Sequence, residues 1–300
     1  MKELMRLWFL LAVGVFSVES GWAQGATNAY AEFGQLLLLH LPTAPFPHPA
    51  RAEGHKYQNQ NFSAAEHYQD DTVGVFIPKG FKAEGKVDFM IHFHGWRNHV
   101  ENVLSHYQLI QQFVESGRNA ILVVPQGPYE APDSFGGKLE DPRGFERFMK
   151  SVLDSLEQQK ILQQPTLGSV ALSGHSGGYH VIAAILDHGG LTDHIREVWL
   201  FDGLYGGTDK YLAWFEGATN RRFIDIYTEH GGTKEETEKL LADRKARHSP
   251  LLEKPEAKIT DTDLRENRLI FSYTTMEHDE VPHLHHTFAQ YLKTSCLKSR

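Results

Sequence analysis

The 300-residue chain is long enough for one large α/β domain or two small ones with a real buried core. With 41% hydrophobic and 23% charged residues, its composition is that of an ordinary globular protein. The formal charge of −8, with no block of basic residues, speaks against a nucleic-acid-binding surface.

Lys2 and Arg6 stand at the start, followed by an apolar run over residues 7–18 and then the small residues Gly21 and Ala23. That order predicts a signal peptide over 1–23, cleaved after Ala23. The run is shorter than the ~20 residues of a membrane-spanning helix, and no later stretch approaches that length. The expected mature protein is therefore secreted or periplasmic, with no membrane span after cleavage. Cys296, the single cysteine, cannot form an internal disulfide, so an exported fold would rest on its core.

Residues 24–68 are irregular and rich in Pro, His and aromatic side chains, which predicts an extended arm ahead of a domain over 69–300. Within the arm, 32–40 reads as one helical or strand segment. From there, short apolar runs alternate with helical spacings. Strands are expected at 72–77, 87–93, 120–124, 169–172, 197–201, 223–227 and 269–273. Helices are expected at 102–115, 145–162, 178–187, 209–215, 233–245 and 283–292. Thr233 with Glu236 three residues on reads as a capping box. A polar excursion over 248–263 separates the last two units. This alternation implies a single α/β domain, with a mostly parallel central sheet buried on both faces by helices.

The chemistry concentrates at Gly174-His175-Ser176-Gly177-Gly178. Gly-x-Ser-x-Gly is a weak pattern alone, but here an apolar strand (170–172) runs into it and an apolar helix (181–186) runs out. That is the strand–sharp turn–helix arrangement that holds a serine hydroxyl clear of the backbone. Side chains at the glycines would collide with the neighbouring strand and helix. The helix N-terminus directs free N–H groups at developing negative charge. Ser176 is the expected nucleophile.

With this motif in place, the sequence resembles the α/β-hydrolase fold superfamily from about Thr72 to the C-terminus. The resemblance implies a nucleophile elbow, an acid on a later strand and a histidine after the last strand. His94-Gly95-Trp96, at the end of an early strand, resembles the His-Gly-x segment of esterases and lipases. By that resemblance the backbone N–H groups of Trp96 and Gly177 form the oxyanion hole, and His94, Gly95, His175 and Tyr179 are expected at the substrate. His278 leads as general base, with His283 as the alternative and His285 and His286 on the surface. The acid is expected at Asp202, where the end of an apolar strand would desolvate a carboxylate and demand a partner. Glu229, one strand later at the family's commoner position, is the alternative.

Three functions stay in view. The first is hydrolysis of a carboxylic ester through an acyl-enzyme on Ser176, with a small-molecule or polymer-derived acyl substrate and no cofactor. The second is a peptidase or amidase acting on extracellular or cell-wall material. The third is a non-catalytic binding protein on the same fold. A metal site through His92 and His94 is weaker, because strand alternation pairs i and i+2 in any sequence and no Cys or acidic ligand lies nearby. Trp96, Tyr129, Phe135, Tyr179 and Tyr205 are candidates to line an aromatic pocket.

Overall fold

A computed structural model describes residues 29–83 and 85–300; the expected signal peptide lies outside the described residues. The β-strands, in chain order, are β1 (Gly34–His40), β2 (His55–Tyr57), β3 (Gln60–Phe62), β4 (Thr72–Pro78), β5 (Lys86–Phe93) and β6 (Ala120–Pro125). They continue with β7 (Thr166–His175), β8 (Ile195–Phe201), β9 (Arg222–Thr228), β10 (Leu252–Glu253) and β11 (Leu269–Thr274). Nine of them form one sheet in the order β1-β4-β6-β5-β7-β8-β9-β11-β10, while β2 and β3 make a separate hairpin. β1 and β4 run antiparallel at one edge, and the strands from β6 to β10 are mutually parallel.

Side chains alternate across a strand, so a strand buried on both faces must be apolar throughout. The central strands largely follow this, with buried exceptions such as His92 on β5 and Asp225 on β9. Phe89 and Ile91 of β5, Leu172 of β7 and Leu200 of β8 enter one core, with the helices Gly144–Gln158, Tyr179–His188, Thr208–Glu216 and Lys234–Ala246. Met90, Ala171, Trp199 and Phe201 enter the other, with the helices Val100–Ser105, Leu109–Glu115, Asp261–Glu266 and Thr287–Lys293. The Gly144–Gln158 helix shows why: Phe145, Phe148, Met149, Val152 and Leu156 recur at helical spacing and are all buried. Truncating Phe148 to alanine there would cost roughly 3–5 kcal/mol in lost burial and cavity.

Several boundaries differ from the expectation, each for a local reason. Of the 32–40 segment, Gly34–His40 is a sheet strand, paired with β4 from Gly34–Pro78 to His40–Thr72, so the sheet begins inside the expected arm. The helix expected over 102–115 is two helices, broken where Gln108 takes a left-handed conformation (φ 51°). Residues 283–285 are turns, and the last helix begins only after His286, also left-handed. The polar excursion holds β10, and its last residues begin the Asp261–Glu266 helix, where Thr260 makes a true capping box with Asp263.

Residues 46–68 pack over the loop that follows β6. Phe46, Phe62, Tyr68 and Ala131 form a small third core. Arg51 grips Asp133 through two bonds of 2.6 and 3.1 Å, and Tyr68 donates to the same carboxylate at 3.1 Å. Burial pushes Asp133 up, but the Arg51 hydrogen bond, the Phe135 N–H at 3.0 Å and the guanidinium charge outweigh it and hold the carboxyl below its usual range.

Candidate active site

Parallel strands bring all their C-terminal ends to one side of a sheet, which is where the expected site residues lie. β7 runs through His175 and turns abruptly at Ser176, whose φ is 53°. A left-handed serine costs on the order of 1–3 kcal/mol, which the packing around it has to outweigh. A Cβ on Gly174 would stand 2.8 Å from Ile182, and one on Gly178 would stand 2.5 Å from the Phe93 carbonyl. The elbow is thus wedged between its own helix and β5, and a side chain at position 174 or 178 would collide with them.

The loop after β5 closes on the same point. A Cβ on Gly95 would meet Ser176 Cβ at 2.6 Å and Oγ at 3.2 Å, and one on Gly177 would meet the Trp96 ring at 2.7 Å. The two segments expected to carry the oxyanion N–H groups are therefore in contact. Trp96 is fixed by an Nε1–H bond of 2.7 Å to Ser134 and by an edge-on contact with Tyr57 at 5.1 Å.

β8 ends at Phe201, and Asp202 follows, fully buried and itself left-handed (φ 46°). His278, in the loop after β11, donates from Nδ1 to Asp202 Oδ2 at 2.6 Å. Asp202 also accepts from the Thr228 N–H at 3.1 Å, the Thr228 hydroxyl at 2.7 Å and the Thr233 hydroxyl. Burial pushes this carboxyl up, but the bonds from His278, Thr233 and Thr228 outweigh burial and hold it below its usual range. Asp202 is thus a buried, ionised acceptor that orients the His278 ring.

Glu229 is elsewhere. It is exposed, bound at 2.7 Å through both oxygens by Lys234, and does not meet His278. His283 stacks on Tyr107 at 5.4 Å, and His285 and His286 pair at the surface with Glu256 and Glu115. The capping role expected of Thr233 is absent: no side-chain cap bond forms, because its hydroxyl serves Asp202.

Two residues expected at the substrate are each held by hydrogen bonds to neighbouring loops. His94 is buried; its Nδ1 donates to the Gly95 carbonyl at 2.8 Å, and its Nε2 accepts from the Gly127 N–H at 2.9 Å and from Gln126 at 3.0 Å. Burial pushes it down to about 4, so it is a neutral strut between two loops. His175 is buried likewise and bonds to the base loop. His92 is fully buried, with Nδ1 at 2.8 Å from the Ser173 hydroxyl. Among the described residues no group of three or more His, Cys, Asp or Glu side chains is placed to hold a metal.

Tyr205, an aromatic-pocket candidate, stands at the site. Its hydroxyl donates to the Gly231 carbonyl, and its ring lies 5.6 Å from Tyr179 and 6.5 Å from His278. Burial and the Asp202 charge push the phenol up to about 12, an effect that the Ser176 hydroxyl partly offsets. Thr228, Thr233 and Gly231 carry no sequence signal for their roles, since each acts through a partner on a distant strand end.

No family model matches the sequence, and no curated protein matches it. Solved structures do. One is a mutant of the feruloyl esterase module from Clostridium thermocellum complexed with sinapinate, similar over 88% of each chain at 11% identity with a TM-score of 0.56. Another is a ferulic acid esterase, similar over 74% of this chain and 91% of that one at 13% identity with a TM-score of 0.50. Together with the strand order and the elbow after β7, these similarities show that the chain has the α/β-hydrolase fold.

Proposed function

We propose that the protein is an exported serine esterase that cleaves its substrate through an acyl-enzyme on Ser176. The observation that carries this reading is the 2.6 Å bond between His278 and the buried Asp202, beside a left-handed serine at the strand–helix elbow. In the first half-reaction Ser176 Oγ attacks the ester carbonyl carbon while His278 Nε2 takes the hydroxyl proton. The backbone N–H groups of Trp96 and Gly177 hold the resulting oxyanion, each such donor being worth about 3 kcal/mol. The alkoxide leaves with the proton returned by His278, and the serine stays acylated. Water then attacks the acyl carbon with His278 again as base, and the acid and free Ser176 are released. Asp202 keeps the proton on Nδ1 so that Nε2 faces the reaction.

Aromatic rings suggest the acyl class. Trp96 is 42% exposed and Tyr205 38%, although both are large rings at a folded surface. Trp96 with Tyr57 on the oxyanion loop side, and Tyr205 with Tyr179 on the acid side, offer flat faces for a planar acyl group. The neighbour complexed with sinapinate holds an aromatic carboxylate of this kind.

A fluorophosphonate probe should label the wild type and leave Ser176→Ala unlabelled. Hydroxycinnamate methyl esters should be hydrolysed faster than acetate esters, and the matching anilides should not be. Faster cleavage of the anilides would replace the esterase reading with an amidase. Export is tested by the N-terminus of the mature protein, expected at Gln24; recovery of Met1 would refute it.

A further inference from the structure

The loop that carries His278 has its own anchorage. His175 precedes the nucleophile on β7, and its Nε2 lies 2.9 Å from the backbone carbonyl of His278, with the two rings 4.7 Å apart. A carbonyl only accepts, so Nε2 carries the proton and Nδ1 is bare. Burial, then the adjacent His278, pushes His175 down to about 4, so it is a neutral donor at ordinary pH. Its Nδ1 faces the Tyr107 hydroxyl at 3.3 Å.

Tyr107 is buried, in the break between the Val100–Ser105 and Leu109–Glu115 helices. Its hydroxyl donates to Asp279, next to the base, at 2.6 Å and accepts from Asn98 at 3.1 Å. Asn98 lies two residues beyond Trp96 and is itself fixed, its side-chain oxygen accepting from the His99 N–H at 2.8 Å. Gln112 completes the frame by donating to the Tyr107 carbonyl at 2.8 Å and the Pro282 carbonyl at 3.1 Å. One phenol thus touches residues from three segments: the oxyanion loop, the nucleophile strand and the base loop.

We infer that Tyr107 and His175 are positioning residues that hold the His278 loop in register with Ser176. The inference rests on the triad reading above. His175 acts through the carbonyl of the base itself, and Tyr107 through the residue that follows it. A misplacement of about 1 Å at a reacting group can cost on the order of 100-fold in rate, so loss of either anchor should appear in kcat.

The test uses the full chain and an aryl ester, with variants Tyr107→Phe, His175→Leu and His175→Gln. The first two should lower kcat about tenfold or more with KM within twofold. The downfield proton resonance of the His278–Asp202 pair should broaden in both. His175→Gln, whose amide nitrogen can reach the same carbonyl, should recover most of kcat and the sharp resonance. The inference is overturned if His175→Leu stays within twofold of wild type, or if His175→Gln is as slow as His175→Leu. Should Tyr107→Phe not fold, the two His175 variants decide alone. A wild type that fluorophosphonate does not label would sink the triad reading instead. Labelled wild type with unaffected variants would sink only the positioning role.

Discussion

Asp202 and His278 stand 2.6 Å apart, carboxylate to imidazole, across 76 residues of chain. The parallel sheet closes that distance, because β8 and β11 end on the same side with only β9 between them. Three further donors on the Asp202 carboxylate, two of them threonine hydroxyls, leave it little freedom to turn. Its orientation is set before any substrate arrives.

Asp202→Asn should therefore lower kcat by about 10⁴, the cost of presenting an amide to the imidazole in a well-studied triad. Glu229→Gln should stay within twofold, since Glu229 meets Lys234 and solvent. Steady-state kinetics on the two purified variants decide the matter. A crippled Glu229→Gln would move the acid to the later strand.

Ser176→Gly should be inactive yet more stable than wild type by roughly 0.5–1 kcal/mol, because glycine adopts φ 53° without the clash a Cβ brings. Ser176→Ala keeps the Cβ and should show no such gain. Comparing denaturation midpoints of the two inactive proteins isolates the strain. Equal midpoints would show that the strain is no larger than glycine's extra unfolded-chain entropy of about 0.4–1 kcal/mol.

Gly231→Ala should be nearly dead without touching any triad residue in sequence. A Cβ there would stand 1.7 Å from Asp202 Oδ2, so the carboxylate or the turn must move. A kcat loss on the order of 100-fold is expected from a displacement of that size. Wild-type turnover in this variant would contradict the packing around Asp202.

Asp225 gives a pH signature of stability. It is fully buried on β9, and burial pushes it up to about 7 although the Thr237 hydroxyl donates to it at 2.7 Å. In the unfolded chain it titrates near ~3.9. Between those values the folded state holds the extra proton, so stability falls as pH rises from about 4 to about 7 and then levels. Asp225→Asn cannot ionise and should gain roughly 2 kcal/mol on wild type between pH 5 and pH 8, read by urea denaturation. Parallel curves for the two proteins would mean that Asp225 ionises freely in the fold.

The elbow was legible because its glycines, its strand and its helix are contiguous in the chain. Asp202 was legible for a related reason: a carboxylate at the end of an apolar strand has to find a partner. The rest depended on contacts between distant segments. Thr233 looked like a helix cap because capping is a local pattern, whereas its hydroxyl bonds to a residue 31 positions away. His94 and His175 are placed near the serine by their positions along the chain. Their burial and bonding follow from loops that arrive from elsewhere. The break at Gln108 was hidden by the even apolar spacing on either side, although that break is what places Tyr107.

β1 has a bearing on how the protein can be cut. A fragment starting at residue 69, the apparent domain boundary in the sequence, would strip the strand that covers one side of β4. The uncovered row of N–H and C=O groups on Val73, Val75 and Ile77 would be an adhesive rim for other chains. Tyr57 and Arg51 would leave with it, releasing Trp96 from its ring contact and Asp133 from its guanidinium. The amino-terminal segment is thus both the sheet's margin and a brace for the loops beside the serine, and trimming it would sacrifice solubility and the aromatic wall together.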